Sequence, residues 1–219
     1  MRVALSGIAI LAGLACAPVA QAAVTIGVAN NANCIPFNCA PYMGLTGYQQ
    51  AWSSTAFSSP VTISALTFYG QTNQIGNLMQ PATHTISFYT TSQPANALAV
   101  NFATNRGTLL GSFGSFVVSG IMPAALTFNG SPFVYDPADG NLLMEDVIVA
   151  GVNASYASNF QTDSTSGLMS RAMAGLYPQA GSLGLVTTFD AVPVEAPEPA
   201  SLALLAAGLL GLAGLRRRV

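Results

Sequence analysis

Two kinds of apolar pattern run along the 219 residues. Near the ends lie unbroken apolar stretches, residues 3–15 and 200–215, and between them the apolar positions come in short alternating runs. Residues 61–69 put Val61, Ile63, Ala65, Thr67 and Tyr69 on one face of a strand and Thr62, Ser64, Leu66 and Phe68 on the other. The second half of that run is apolar enough on both faces to predict burial on both sides. Residues 83–91 set His84, Ile86, Phe88 and Thr90 opposite Thr85, Ser87 and Tyr89 in the same manner. Further strands are predicted at 24–29, 48–57, 108–113, 115–119, 125–128, 142–150, 167–172 and 185–189, divided by Gly, Pro, Asn and Ser. No long stretch of this central span has a helical period. Some ten short strands with closely spaced turns predict an all-β domain over 23–191, an antiparallel β-sandwich of jelly-roll-like arrangement. A barrel or solenoid is the second choice, but no repeat of fixed length is visible, and no second domain is expected.

The two ends have a different character. At the N-terminus Arg2 supplies a positive charge, residues 3–15 an apolar stretch, and Ala20-Gln21-Ala22 a small-x-small cleavage site. This predicts a secretory signal peptide over 1–22. Cys16 follows Gly13-Leu14-Ala15, and a lipoprotein signal would place an aliphatic residue where Gly13 stands, so Cys16 is read as part of the discarded peptide. At the C-terminus Pro197-Glu198-Pro199 precedes an apolar run over 200–215 and then Arg216, Arg217 and Arg218. As a helix those 16 residues would span about 24 Å against a hydrocarbon core of about 30 Å, a gap that the arginine stems can close by snorkelling. The cationic cluster predicts a transmembrane helix halted in the inner membrane with its arginines on the cytoplasmic side. Gly208, Gly211 and Gly214 are spaced by three, which is not the four-residue spacing of a dimerising helix face.

The order of parts over 192–219, a Pro-Glu-Pro tripeptide, a short hydrophobic helix and an arginine cluster, resembles the PEP-CTERM sorting signal of Gram-negative bacteria. The resemblance implies a chain that passes the Sec translocon, pauses in the inner membrane, and is processed by exosortase on its way to the cell surface or an exopolysaccharide-rich matrix. Pro197, Glu198 and Pro199 would be the recognition tripeptide and Arg216, Arg217 and Arg218 the cytoplasmic stop. A second string, Tyr135-Asp136-Pro137-Ala138-Asp139-Gly140-Asn141-Leu142-Leu143, is similar to a segment that recurs in the secreted parts of such proteins, for which the resemblance implies a surface β-domain and no assigned chemistry. Tails of this kind are also named after ice-binding proteins. Ice binding asks for a flat, regular threonine array, and Thr83, Thr85, Thr90, Thr91, Thr187 and Thr188 form no such repeat.

Charge narrows the function classes. The chain has no lysine, and over residues 23–195 only Arg106 and Arg171 oppose seven acids, a net charge of −5. With no basic patch, nucleic acid is not expected as a partner. The polar surface must be built from Ser, Thr, Asn and Gln, which hydrogen-bond to hydroxyl-rich polymers without a charge penalty.

The candidate chemistry is sparse. Cys34 and Cys39 are predicted to pair in an oxidising compartment, closing a small loop worth about 2 kcal/mol; their spacing is not Cys-x-x-Cys, and His84 is the sole histidine. Asp136, Asp139 and Asn141 offer the hard oxygens of a calcium site. The competing account is a turn, because Pro137 presets its φ, Asp136 can bond forward and Gly140 can take positive φ. Glu145, Asp146, Asp163 and Asp190 are enough carboxylates for glycoside hydrolysis, but nothing in the sequence brings two of them to a cleft, and no Gly-x-Ser-x-Gly string accompanies His84. Trp52, the sole tryptophan, with Tyr48, Tyr42, Tyr156 and Tyr177, could stack on sugar rings; burial in a sandwich core is the alternative. The expectation is therefore an exported, non-catalytic surface or matrix protein without a cofactor, against which stand a carbohydrate-binding module and a calcium-dependent adhesive domain.

Overall fold

A computed structural model describes residues 22–150 and 159–194. Within them the chain forms thirteen strands, β1 Ala22–Ile26, β2 Asn31–Asn33, β3 Leu45–Trp52, β4 Val61–Tyr69, β5 Leu78–Thr91, β6 Leu109–Ile121, β7 Ala125–Tyr135, β8 Asn141–Ala150, β9 Phe160–Asp163, β10 Met169–Gly175, β11 Gln179–Gly181, β12 Gly184–Leu185 and β13 Thr187–Pro193. Two four-residue helices, α1 Ala40–Met43 and α2 Phe102–Asn105, lie in connections. All named pairings are antiparallel. The described part of the chain is thus all-β in class, and within it no helix is long and apolar enough to cross a membrane.

The strands form a four-stranded sheet in the order β1-β13-β4-β7, a six-stranded sheet in the order β11-β10-β3-β8-β5-β6, and a small sheet β12-β9-β2. The two larger sheets meet through aromatic rings. Trp52 of β3 lies edge-on to Phe189 of β13, with centroids 4.9 Å apart, and Phe88 of β5 stacks on Phe133 of β7 at 4.5 Å. Alternation, with its phase reset in β4 where the register shifts between Ile63 and Ala65, explains which residues arrive there: Ile63, Phe68 and Phe189 from one sheet and Tyr48, Ile86, Phe88 and Met144 from the other are all buried. Part of the outer face of the six-stranded sheet is covered by the β5–β6 connection, whose Leu98 and Phe102 pack with Ala51, Leu143 and Ala172.

The strand predicted at 61–69 coincides with β4, while others are longer than the sequence pattern suggested. The runs at 108–113 and 115–119 are one strand, β6, because a bulge opposite Ile86 and Ser87 absorbs Phe113 without ending the pairing, and Gly114 pairs with Ile86. Strand β7 continues past 128 to Tyr135, its extra residues around Gly130 and Pro132 accommodated where the register with β4 shifts between Ile63 and Ala65. Strand β5 starts at Leu78, and its exposed Pro81 stands at a register shift between Met79 and Ala82, where no ladder donor is needed. Strand β13 runs to Pro193, paired with Val61, two residues beyond the boundary expected at 191.

Candidate functional site

The sorting residues Pro197, Glu198, Pro199, Arg216, Arg217 and Arg218, the apolar run 200–215 and the leader before Ala22 lie outside the described residues. The folded part delivers the chain to that tail from β13, where the Val194 N–H donates to the Pro60 carbonyl at 2.9 Å. At the opposite end β1 begins at Ala22, paired with Ala191 of the same β13. Both ends of the folded unit thus leave from neighbouring strands of one sheet.

Cys34 and Cys39 are joined by a disulfide, their Cα atoms 5.2 Å apart. The loop that it closes carries Phe37, which is completely buried, and Asn38, whose side-chain oxygen accepts from the Gln80 N–H at 2.6 Å.

The stacking platform is overturned. Trp52 and Tyr48 have no exposed surface, since both point from β3 into the space between the sheets, where an apolar ring is favoured. The Tyr48 hydroxyl donates to Gln50 Oε1 at 2.5 Å, and burial pushes its ionisation far up. Tyr177 is exposed in the β10–β11 connection, well separated in the sequence from the others, and Tyr156 and the side chain of Tyr42 lie outside the described residues.

Asp136 caps and Asp139 ends a 3-10 turn, Pro137–Asp139, between β7 and β8, and Asn141 opens β8. Asp136 Oδ1 accepts from the Ala138 N–H at 2.9 Å, and Gly140 closes the turn at φ +115°. Asn141 turns away from the acids: its Oδ1 accepts from the Ser54 N–H at 2.9 Å and its Nδ2 donates to the Gln93 carbonyl at 2.9 Å. The three side chains do not converge. Among the described residues no group of three or more His, Cys, Asp and Glu side chains could hold a metal ion.

Of the carboxylates weighed for catalysis, two lie on β8 and face opposite ways. Asp146 points into the core and bonds His84 Nδ1 of β5 at 2.6 Å, both side chains fully buried. Burial raises the Asp146 carboxyl, and the hydrogen bond to His84 opposes that rise. Glu145 points outward beneath the β5–β6 connection, where Arg106 and Gln49 bind it. Asp163, on β9, is a turn anchor. Burial pushes its carboxyl up, but hydrogen bonds from the Thr165 N–H, the Ser166 side chain, and the Val28 and Ser166 N–H groups outweigh that and hold it below the ordinary range. The fourth acid, Asp190, is half-buried on β13, so the four are spread over β8, β9 and β13.

The structure does hold a cleft that sequence reasoning missed. It measures about 440 Å³ and is walled by Ala29, Asn30, Asn31 and Ala32 of the β1–β2 region, Gln71 and Thr72 of the β4–β5 connection, and Gln161 of β9. Its walls are tied together. Gly70 bridges Phe160, the Gln71 N–H donates to the Asn159 carbonyl at 2.8 Å, the Gln161 Nε2 donates to the Gly70 carbonyl at 3.1 Å, and the Asn30 N–H donates to the Thr162 carbonyl at 3.1 Å. Asn30 is fixed by Asp163 and Thr165, which accept from its Nδ2 at 3.0 and 2.7 Å. The only signal for this cleft in the sequence is the richness in amides and hydroxyls of 30–33 and 71–74, and those short segments are far apart in the chain.

Comparison with known proteins bears on the tail. No curated protein and no solved structure matches the chain significantly. The sequence model of the PEP-CTERM protein-sorting motif matches residues 195–218, which contain the Pro-Glu-Pro tripeptide, the apolar run and the three arginines. The chain carries a PEP-CTERM protein-sorting motif and, by that motif, is an exported protein sorted by exosortase.

Proposed function

We propose that the chain is a non-catalytic surface or extracellular-matrix protein, a jelly-roll domain delivered by its own tail. Translocated through Sec, it is anchored in the inner membrane by the helix at 200–215, processed by exosortase, and released to a matrix rich in exopolysaccharide. The observation that carries this reading is the sorting motif at 195–218, placed directly after a folded unit whose last strand ends at Pro193.

Two features of the passenger support the rest. The strand orders β1-β13-β4-β7 and β3-β8-β5-β6 interleave early and late strands as two Greek keys do, and β10 and β11 extend the second sheet. That closed pairing of the first and last long strands suits a domain whose two ends are both occupied by targeting segments. For a non-catalytic role, the support is the use already made of the acids: Glu145 and Asp146 are each bound by a cationic or imidazole partner, and Asp163 is saturated by backbone donors.

The test is the mass and location of the mature protein in cells with and without exosortase. A form lacking 1–22 and part of 192–219, outside the cell only when the enzyme is present, is the expected result. An intact C-terminus in both strains would mean a permanent membrane anchor and would overturn the proposal.

A further inference from the structure

We propose that the cleft between the β1–β2 region, the β4–β5 connection and β9 binds a neutral glycan, a short stretch of polyhydroxylated chain held by amide and hydroxyl groups. The cleft's volume of about 440 Å³ lies within the range of small-molecule sites. Its described walls carry no charged and no aromatic side chain. What they offer is hydrogen-bonding capacity in use nowhere else. Among the described residues, the Gln71 side-chain amide, the Thr72 hydroxyl, the Asn31 Nδ2 and the Gln161 Oε1 have no hydrogen-bond partner, while the other ends of Asn31 and Gln161 are engaged by the Ala32 N–H and the Gly70 carbonyl.

That combination selects a ligand class. An amide gives both a donor and an acceptor, and a hydroxyl gives either, which matches the dual character of sugar hydroxyls. An anionic ligand would find no cation in the walls. An apolar ligand or peptide side chain would find only the methyl groups of Ala29, Ala32 and Thr72. Asn31 and Gln161, each held at one end, are also pre-oriented, so binding need order only the Gln71 and Thr72 side chains afresh. With no ring to stack on, the site would grip sugar edges rather than faces.

The inference rests on the proposed export for the place where the chain meets such a polymer, but its test does not depend on sorting. The full chain, purified in a detergent that is not a glycoside, is passed over immobilised dextran, a mixed-linkage β-glucan and galactomannan, with anionic alginate for comparison. Retention on at least one neutral polymer is expected, relieved by its soluble oligosaccharides. Gln71→Ala and Thr72→Ala, which remove no bond within the fold, should each weaken retention about five- to tenfold, and Thr72→Trp should abolish it by filling the cleft, all with unchanged melting temperatures. Absence of retention on every neutral polymer, retention on alginate alone, or retention indifferent to these variants would each overturn the assignment. Protein from cells lacking exosortase keeps the cleft, so a failure of sorting leaves the binding result readable.

Discussion

Arg106 clasps Glu145 through two parallel hydrogen bonds of 2.7 Å, Nε to Oε2 and Nη2 to Oε1, and Gln49 Nε2 adds a third to Oε2 at 2.6 Å. The carboxylate is 7% exposed and the guanidinium 41%, so the acid is the member of the pair that depends on its partner. Asn105 extends the network, donating to Gln49 Oε1 at 2.7 Å and to the Ala99 carbonyl at 2.8 Å, which fastens the whole β5–β6 connection to the sheet.

Removing the cation therefore leaves a nearly buried carboxylate short of two donors. Arg106→Ala should cost about 1–3 kcal/mol, read as a fall of several degrees in the thermal midpoint. Arg106→Lys should recover only part of it, because an ammonium lacks the two-pronged geometry. Equal stability of Arg106→Ala and the parent would show that the pair does not fasten the connection.

Asp163 sets a pH dependence whose sign is fixed by its depressed carboxyl. An unfolded aspartate titrates near pH 3.9, so on acidification the unfolded chain takes up the proton first. The stabilisation is complete above about pH 4 and is lost as pH falls toward the lower folded-state value. Asp163→Asn should flatten the acid limb of a stability profile between about pH 2 and 4. It should also loosen Asn30, which would show as altered protection of the Val28 and Thr165 amides. A profile of Asp163→Asn that parallels the parent through that window would refute the assignment.

The legibility of the chain followed the spacing of its pattern. The bounds of strand β4 were readable because no turn residue interrupts Val61 to Tyr69, although its burial phase slips at Ala65 and Leu66, both buried, where the register shifts, and the turn before β8 because Asp136, Pro137 and Gly140 each have one conformational use, Gly140 adopting φ +115° with the Thr91 carbonyl 2.8 Å from where a Cβ would stand. Strands β2, β9, β11 and β12 are two to four residues long, below any period, and exist through pairing with remote segments. The fate of Trp52 was undecidable for a related reason. A run of Tyr48-Gln49-Gln50-Ala51-Trp52 has a glutamine on each face, Gln50 beside Tyr48 and Trp52 and Gln49 beside Ala51, and only the β5–β6 connection, arriving over Gln49 and Ala51, leaves Trp52 on the inner side. The cleft was hidden because its walls come from three segments that only the sheets bring together.

The burial of Trp52 has a direct optical consequence. As the sole tryptophan, with no exposed surface and Phe189 edge-on at 4.9 Å, it should emit at a short wavelength and resist quenching by iodide. Addition of any polysaccharide that the protein retains should leave that emission unchanged, since the ring cannot reach a ligand. A red-shifted, quenchable emission from folded protein would return Trp52 to the surface and reopen the stacking account.

Phe37 is the residue on which all three sheets converge. Its ring lies 4.9 Å from Phe68 of β4, 5.3 Å from Phe128 of β7, 5.0 Å from His84 of β5 and 5.3 Å from Phe160 of β9. It reaches that position from a loop only six residues long, Cys34 to Cys39, closed by the disulfide. Phe37→Ala should open a cavity costing about 3–5 kcal/mol, a large share of a typical stability of about 5–15 kcal/mol. Loss of the disulfide alone, by the paired change of Cys34 and Cys39 to Ser, should cost about 2 kcal/mol if it acts only by restricting the unfolded chain. The geometry argues for more than that, because the loop also aims the ring. A double-mutant cycle separates the two contributions. If the crosslink holds Phe37 in place, removing the ring from the already opened loop costs less than removing it from the closed one, and the two effects fall short of additivity by at least about 0.5 kcal/mol. Strict additivity would mean that Phe37 finds its place through packing alone and that the disulfide acts on the unfolded state.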